Sequence, residues 1–190
     1  MNSDFELSLQ KRKRKMLITP DIIDKVPCTK IFGMTPEENR YIQCLHKELL
    51  KVSMRKNKSN EVGFLVDVTT WNKIVLFGNE HGIIMDMYPD AKTLLENAPN
   101  RHLIFLHNHP NNSCFSGKDL SSFCRHNSLA LITAIQNDGN IHVLAKNINF
   151  YPNATLFAYN KGVERQKGVE NVLQQTQRLG ILYKYGRGKK

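Results

Sequence analysis

The stretch HLIFL at 102–106, followed at once by His107-Asn108-His109-Pro110, constrains this 190-residue chain more than any other. An almost unbroken apolar run of strand length reads as a central strand covered on both faces. Pro110 cannot donate to a ladder, so the strand ends there. A strand covered on both faces calls for a sheet between helices.

The surrounding pattern agrees with that demand. Thr35 is a good N-cap, Pro36 suits the first helical position, and Glu38 completes a capping box. Tyr41, Ile42, Leu45, Leu49 and Val52 then recur at helical spacing, which predicts an amphipathic helix over 36–54. EVGFLVDV (61–68), IVLF (74–77) and GIIMDM (82–87) read as three strands. DAKTLLENA (90–98) and KDLSSFCRH (118–126) read as helices. LALITAIQ (129–136) and NIHVLAK (140–146) form a hairpin about Asn137-Asp138-Gly139. A last helix spans 161–179, and YKYGRGKK reads as a loose tail. The predicted fold is therefore α/β (α+β), a single domain with a mixed central sheet flanked by helices.

The net charge of +10 is unevenly placed. Residues 1–60 carry +6, residues 61–150 carry −2, and residues 151–190 carry +6. A slightly acidic middle is not built around a phosphate groove. The organisation expected is a basic N-terminal arm (1–34, with a short helix near Ile22 and Ile23), a core domain (35–150), and a basic C-terminal helix and tail (151–190). The arms are either solvated or able to touch nucleic acid. No run of about 18 apolar residues occurs, so no membrane span is expected. The basic run at 11–15 lacks the apolar stretch of an export signal, which makes a cytoplasmic location the expectation. Cys28, Cys44, Cys114 and Cys124 contain no CxxC pair and are expected to be reduced.

The chemistry concentrates in LHNHPNNSCFSGKDL, 106–120. A period of two puts His107 and His109 on one face of the strand. Asp119 falls in the first turn of the next helix. Two imidazoles and one carboxylate make a three-ligand set that leaves a fourth tetrahedral position open, the pattern of a catalytic zinc site. Taken singly, the parts have plainer readings. Ser116-x-x-Asp119 is also a capping box, and two histidines at a strand end can be ordinary polar residues.

H-x-H-P followed by S-x-x-D resembles the signature of the JAB1/MPN/Mov34 (JAMM) metalloenzyme superfamily, and HNHP resembles its RadC-like bacterial and phage branch. The resemblance covers roughly 61–146, and the strand and helix order is similar too. It implies His107, His109 and Asp119 as metal ligands and Ser116 as the motif serine. It also implies an upstream glutamate near a strand start, a position that Glu61 in NEVGFLVD fits better than Glu80 or Glu96. One departure stands out. The family usually has seven residues between the second histidine and the serine, whereas this chain has only Pro110 to Phe115. A segment of that length still reaches about 20 Å, so reach is not limiting.

The resemblance implies a Zn2+-dependent peptidase or isopeptidase acting on a peptide or protein substrate, a ubiquitin-like one included. Glu61 would be the general base and Ser116 a donor to the developing oxyanion, a contribution of about 2.7–4 kcal/mol. Two other classes compete with it. One is a RadC-like module that binds nucleic acid through its basic arms. The other is a non-catalytic accessory protein of a phage or mobile element. Cys114 is expected to be only a small, soft residue of the motif loop.

Overall fold

A computed structural model describes residues 15–79 and 81–188. Most of the basic run at 11–15, together with Glu80, Lys189 and Lys190, lies outside the described residues. The elements run α1 (Pro20–Asp24), α2 (Pro36–Lys56), β1 (Val62–Asp67), β2 (Lys73–Phe77), a 3-10 turn (Met85–Met87), α3 (Pro89–Asn97), β3 (Leu103–His109), α4 (Gly117–Arg125), β4 (Leu129–Gln136), β5 (Ile141–Lys146), α5 (Pro152–Val163), α6 (Gly168–Leu173) and β6 (Ile181–Gly186).

One six-stranded mixed sheet, ordered β2-β1-β3-β4-β5-β6, forms the middle layer. Only β3 and β4 run parallel, joined through α4, and every other pair is antiparallel. Alternate residues of the strands point to opposite faces. On one face Phe64, Ile104, Leu106 and Leu131 meet Ile42, Leu45 and Leu49 of α2. On the other, Leu65, Leu103 and Ile132 meet Leu95 of α3, Leu120 and Phe123 of α4, and Val172 of α6. The α/β fold with helices on both faces is thus the one that forms, and the run 103–106 is its doubly covered strand.

The local signals act as their chemistry requires. The Thr35 hydroxyl accepts from the Glu38 N–H at 3.2 Å, and the Glu38 carboxylate accepts from the Thr35 N–H at 2.7 Å, which opens α2. Gly139, at φ 88°, lets the β4–β5 turn close with its N–H on the Gln136 carbonyl at 2.8 Å. Phe64 has no exposure in the α2-side core. Phe64→Ala is expected to lower stability by about 3–5 kcal/mol. A urea titration would show this as a lower midpoint at unchanged slope.

Four expectations are corrected. GIIMDM (82–87) is not a strand. The Phe77 N–H donates to the Tyr88 hydroxyl, and that hydroxyl donates back to the Phe77 carbonyl. A side chain thus takes the edge groups that a further strand would use, and Met85–Met87 coils into a 3-10 turn. The described part of the expected arm, 15–34, is built into the domain. Ile18, Ile23, Val26 and Ile31 are buried in the α2-side core, and the Met16 N–H donates to the Pro110 carbonyl. The helix expected over 161–179 is two helices, α5 and α6, because Gln166 at φ 56° reverses the chain between them. YKYG is not loose. It belongs to β6, which pairs with β5 from Ile141↔Gly186 to Lys146↔Ile181. Among the described residues, no helix is long and apolar enough to cross a membrane.

Candidate metal centre

The site forms where β3 runs past its partner β1. His107 and His109 project toward the α4 side, and their Nε2 atoms lie 2.9 Å apart. His107 has no exposure and His109 has 5%. The His109 Nδ1 lies 3.1 Å from the Ser113 carbonyl. A carbonyl only accepts, so this contact favours the tautomer with the hydrogen on Nδ1 and the Nε2 lone pair free for the site, while the Ser113 hydroxyl stands equally close to Nδ1 at 3.1 Å. The His107 ring stacks on Phe105 at 5.0 Å, and its Nδ1 is buried with no hydrogen-bond partner among the described residues.

Asp119 comes from the first turn of α4. Its Oδ1 lies 3.2 Å from the His107 Nε2, and its Oδ2 lies 3.4 Å from the His109 Nε2. The Ser116 N–H and hydroxyl donate to Oδ2 at 2.6 and 2.7 Å, and the Asp119 N–H donates to the Ser116 hydroxyl oxygen at 3.2 Å. The capping box and the acid of the site are therefore one device. The cap anchors Oδ2, which also stands against His109, and leaves Oδ1 turned to His107. Asn112, at φ 53°, turns the short loop between the histidines and Ser116, a conformation asparagine tolerates. Ser116→Ala removes the cap and is expected to cost about 1 kcal/mol, seen as a melting temperature lower by about 2–4 °C.

Glu61 lies at the start of β1 and is 8% exposed. Glu61, His107 and His109 offer ligand atoms within 4.8 Å of one another and can hold a metal ion. Asp119 stands against the same imidazoles, one carboxylate oxygen to each, at 3.2 Å from His107 and 3.4 Å from His109. Gly63, two residues on, lets Phe105 and Ile83 pack directly over β1, since a Cβ there would meet each at 2.7 Å.

The electrostatics suit a cation. Burial works against charge on Asp119, yet the imidazoles of His107 and His109 hold its carboxyl well below the usual carboxylate range. Burial likewise lowers His109, but Asp119, then Glu61 and the Ser113 carbonyl, outweigh it and raise its pKa. Burial pushes the Glu61 carboxyl up, and the two histidines offset this in part. Lone pairs from two imidazoles and two carboxylates, gathered out of water, are costly unless a positive charge sits among them. A divalent ion that accepts nitrogen and oxygen ligands fits this donor set.

A cavity of about 430 Å³ opens onto Glu61, His109 and Asp119. Ile83, Met85 and Phe105 form an apolar wall, while Asn111, Ser113 and Lys118 supply polar groups. Sequence reading missed two contributors. Ser113, which orients His109, is a loop serine to which no spacing rule applies. The 81–85 rim was masked by its strand-like composition, although Gly82 within it was a visible break.

The remaining candidates do not join the centre. Glu96 is exposed on α3. His46 faces the opposite side of the sheet, where its Nε2 meets the Thr133 hydroxyl at 2.8 Å and burial lowers its pKa to about 3. Cys114 turns to His142, with Sγ 3.4 Å from Nδ1, and burial pushes its thiol up to about 11. All four cysteines are free thiols.

Comparison of the chain with protein-family models, curated proteins and solved structures found no match.

Proposed function

We propose that this protein is a zinc-dependent metallopeptidase or isopeptidase of JAMM type, hydrolysing an amide or isopeptide bond of a peptide or protein substrate. The observation that carries the proposal is the convergence of His107, His109 and Asp119, with a buried Glu61 carboxylate alongside, where Glu61, His109 and Asp119 line one open cavity and His107 lies buried behind them. Zinc bound there supplies Lewis acidity and makes a water molecule acidic enough to attack at neutral pH.

The protein's own groups supply the rest. His107 and His109 present Nε2 lone pairs, and Asp119 presents Oδ1. Glu61 takes a proton from the attacking water and returns it to the departing amine. The water oxygen ends on the carbonyl carbon, the C–N bond breaks, and an acid and an amine leave. Burial, which raises the Glu61 pKa, makes its carboxylate a stronger base than an exposed one. The Ser116 hydroxyl is engaged with Asp119, so its first duty is to orient that ligand. Oxyanion donation by Ser116 requires its proton to leave Asp119 for the substrate.

The test is cleavage of a mixed fluorogenic peptide library and of an isopeptide-linked ubiquitin-like dimer. The expected result is hydrolysis abolished by a chelator and restored by Zn2+. Cleavage indifferent to the chelator would sink the proposal. A second reading, a nucleic-acid-associated module, is favoured by the placement of all the excess positive charge outside 61–150. Its mark would be DNA or RNA binding that weakens steeply with salt.

A further inference from the structure

We propose that Asn108, the residue between the two histidines, is the positioning residue for Glu61. The inference rests on the metal-centre reading above. Asn108 points to the face opposite His107 and His109 and has no exposure. The paired register of β1 with β3 stops at Gly63↔His107. Beyond that point the Asn108 side chain takes over from the ladder. Its Oδ1 accepts from the Val62 N–H at 2.7 Å, and its Nδ2 donates to the Asn60 carbonyl at 3.2 Å. These two peptide groups flank Glu61 on either side. One amide therefore ties the strand that carries the imidazoles to the segment that carries the base.

Two further asparagines complete the clamp. The second Asn108 donor goes to the Asn137 Oδ1 at 2.8 Å, and Asn137 donates in turn to the Ser59 and Met16 carbonyls. Asn57 donates to the carbonyls of Glu61 and Gly78 at 2.8 and 2.9 Å. On its other flank the Glu61 N–H donates to the Asn79 carbonyl, and its carbonyl accepts from the Gly78 N–H. The Ser59 and Asn60 carbonyls and the Val62 N–H are thus each held by an asparagine amide, and the Ser53 hydroxyl also donates to the Asn60 carbonyl at 2.6 Å.

The chemistry explains the residue type. The position needs one acceptor and two donors on a short planar group, which asparagine alone supplies. Aspartate lacks the donors and places a charge against two acceptors. Glutamine is a methylene longer and shifts the strand it holds. Displacement of about 1 Å is enough to cost a catalytic group much of its effect.

The test compares wild type with Asn108→Ala, Asn57→Ala and Glu61→Gln, using Co2+ as the probe. Cobalt affinity, the visible spectrum of the bound ion and amide hydrogen exchange are measured, with the Val143 amide as the reference for global opening. In Asn108→Ala we expect cobalt affinity within about threefold of wild type, because the ligands are untouched. We also expect a spectrum moved toward that of Glu61→Gln, and exchange at Val62 raised at least about tenfold relative to Val143. Asn57→Ala, whose amide is only half buried, is expected to move the spectrum the same way and carries the comparison if Asn108→Ala does not fold. An unchanged spectrum with unchanged Val62 exchange would overturn the assignment. So would loss of cobalt affinity beyond about tenfold, which would make Asn108 a support of the histidines instead. If wild type itself takes up no cobalt, the metal-centre reading falls, and Val62 exchange still decides whether the clamp exists.

Discussion

Glu61→Gln is expected to keep the metal and lose the reaction. The glutamine amide matches the carboxylate in shape and still hydrogen-bonds, but it cannot accept and return a proton at neutral pH. Proton transfer by a positioned side chain contributes about 10²–10⁴-fold, and kcat should fall by that factor. Metal affinity should stay within a few-fold, because Asp119, with Oδ1 3.2 Å from the His107 Nε2 and Oδ2 3.4 Å from the His109 Nε2, remains as the carboxylate ligand. The competing arrangement makes Glu61 itself the third ligand, since a carboxylate oxygen lies within 4.8 Å of a nitrogen of each imidazole. Under that arrangement Glu61→Gln loses the metal along with turnover. Steady-state kinetics paired with a zinc titration separates the two. Full activity in the variant would remove Glu61 from the chemistry altogether.

The second large effect is on stability. A ligand that binds only the folded chain stabilises it by about 2.7 kcal/mol at one hundred times its dissociation constant. For a chain of this length, that raises the melting temperature by about 5–11 °C. Wild type should show this shift with Zn2+, and His109→Ala should show almost none. The variant loses the Nε2 that stands 2.9 Å from its neighbour, while the core around Leu103 and Ile132 is untouched. Each protein is compared with itself, with and without zinc, so any change in metal-free stability cancels. An equal shift in both would mean that zinc stabilises the fold from somewhere else.

The signals that were legible in the sequence are local ones. The Thr35 capping box, the Asn137-Asp138-Gly139 turn and the doubly apolar run at 103–106 each specify their structure within a few residues. The misread segments depend on distant partners. GIIMDM has strand composition, but the Tyr88 hydroxyl already occupies the edge it needs. YKYG reads as a tail because Tyr183, Lys184, Tyr185 and Gly186 carry no aliphatic side chain, and its pairing with β5 is decided by the neighbouring strand.

The same division runs through the site. His107, His109 and Asp119 were legible from a period of two followed by a helix start. Glu61 was reachable only through a family resemblance, because no spacing rule links the start of β1 to the end of β3. Ser113 and Asn108 gave no sequence signal, since loop serines and strand asparagines are common for many reasons. Their roles become visible only when the Ser113 carbonyl meets the His109 Nδ1 and the Asn108 amide meets the peptides flanking Glu61.

The most direct test is the metal content of the protein purified without added metal, measured by elemental analysis for wild type and His109→Ala side by side. Four side chains gathered around one ion predict close to one zinc per chain in wild type and only a trace in the variant. No metal in wild type after zinc is supplied, or the same content in both proteins, would contradict the account.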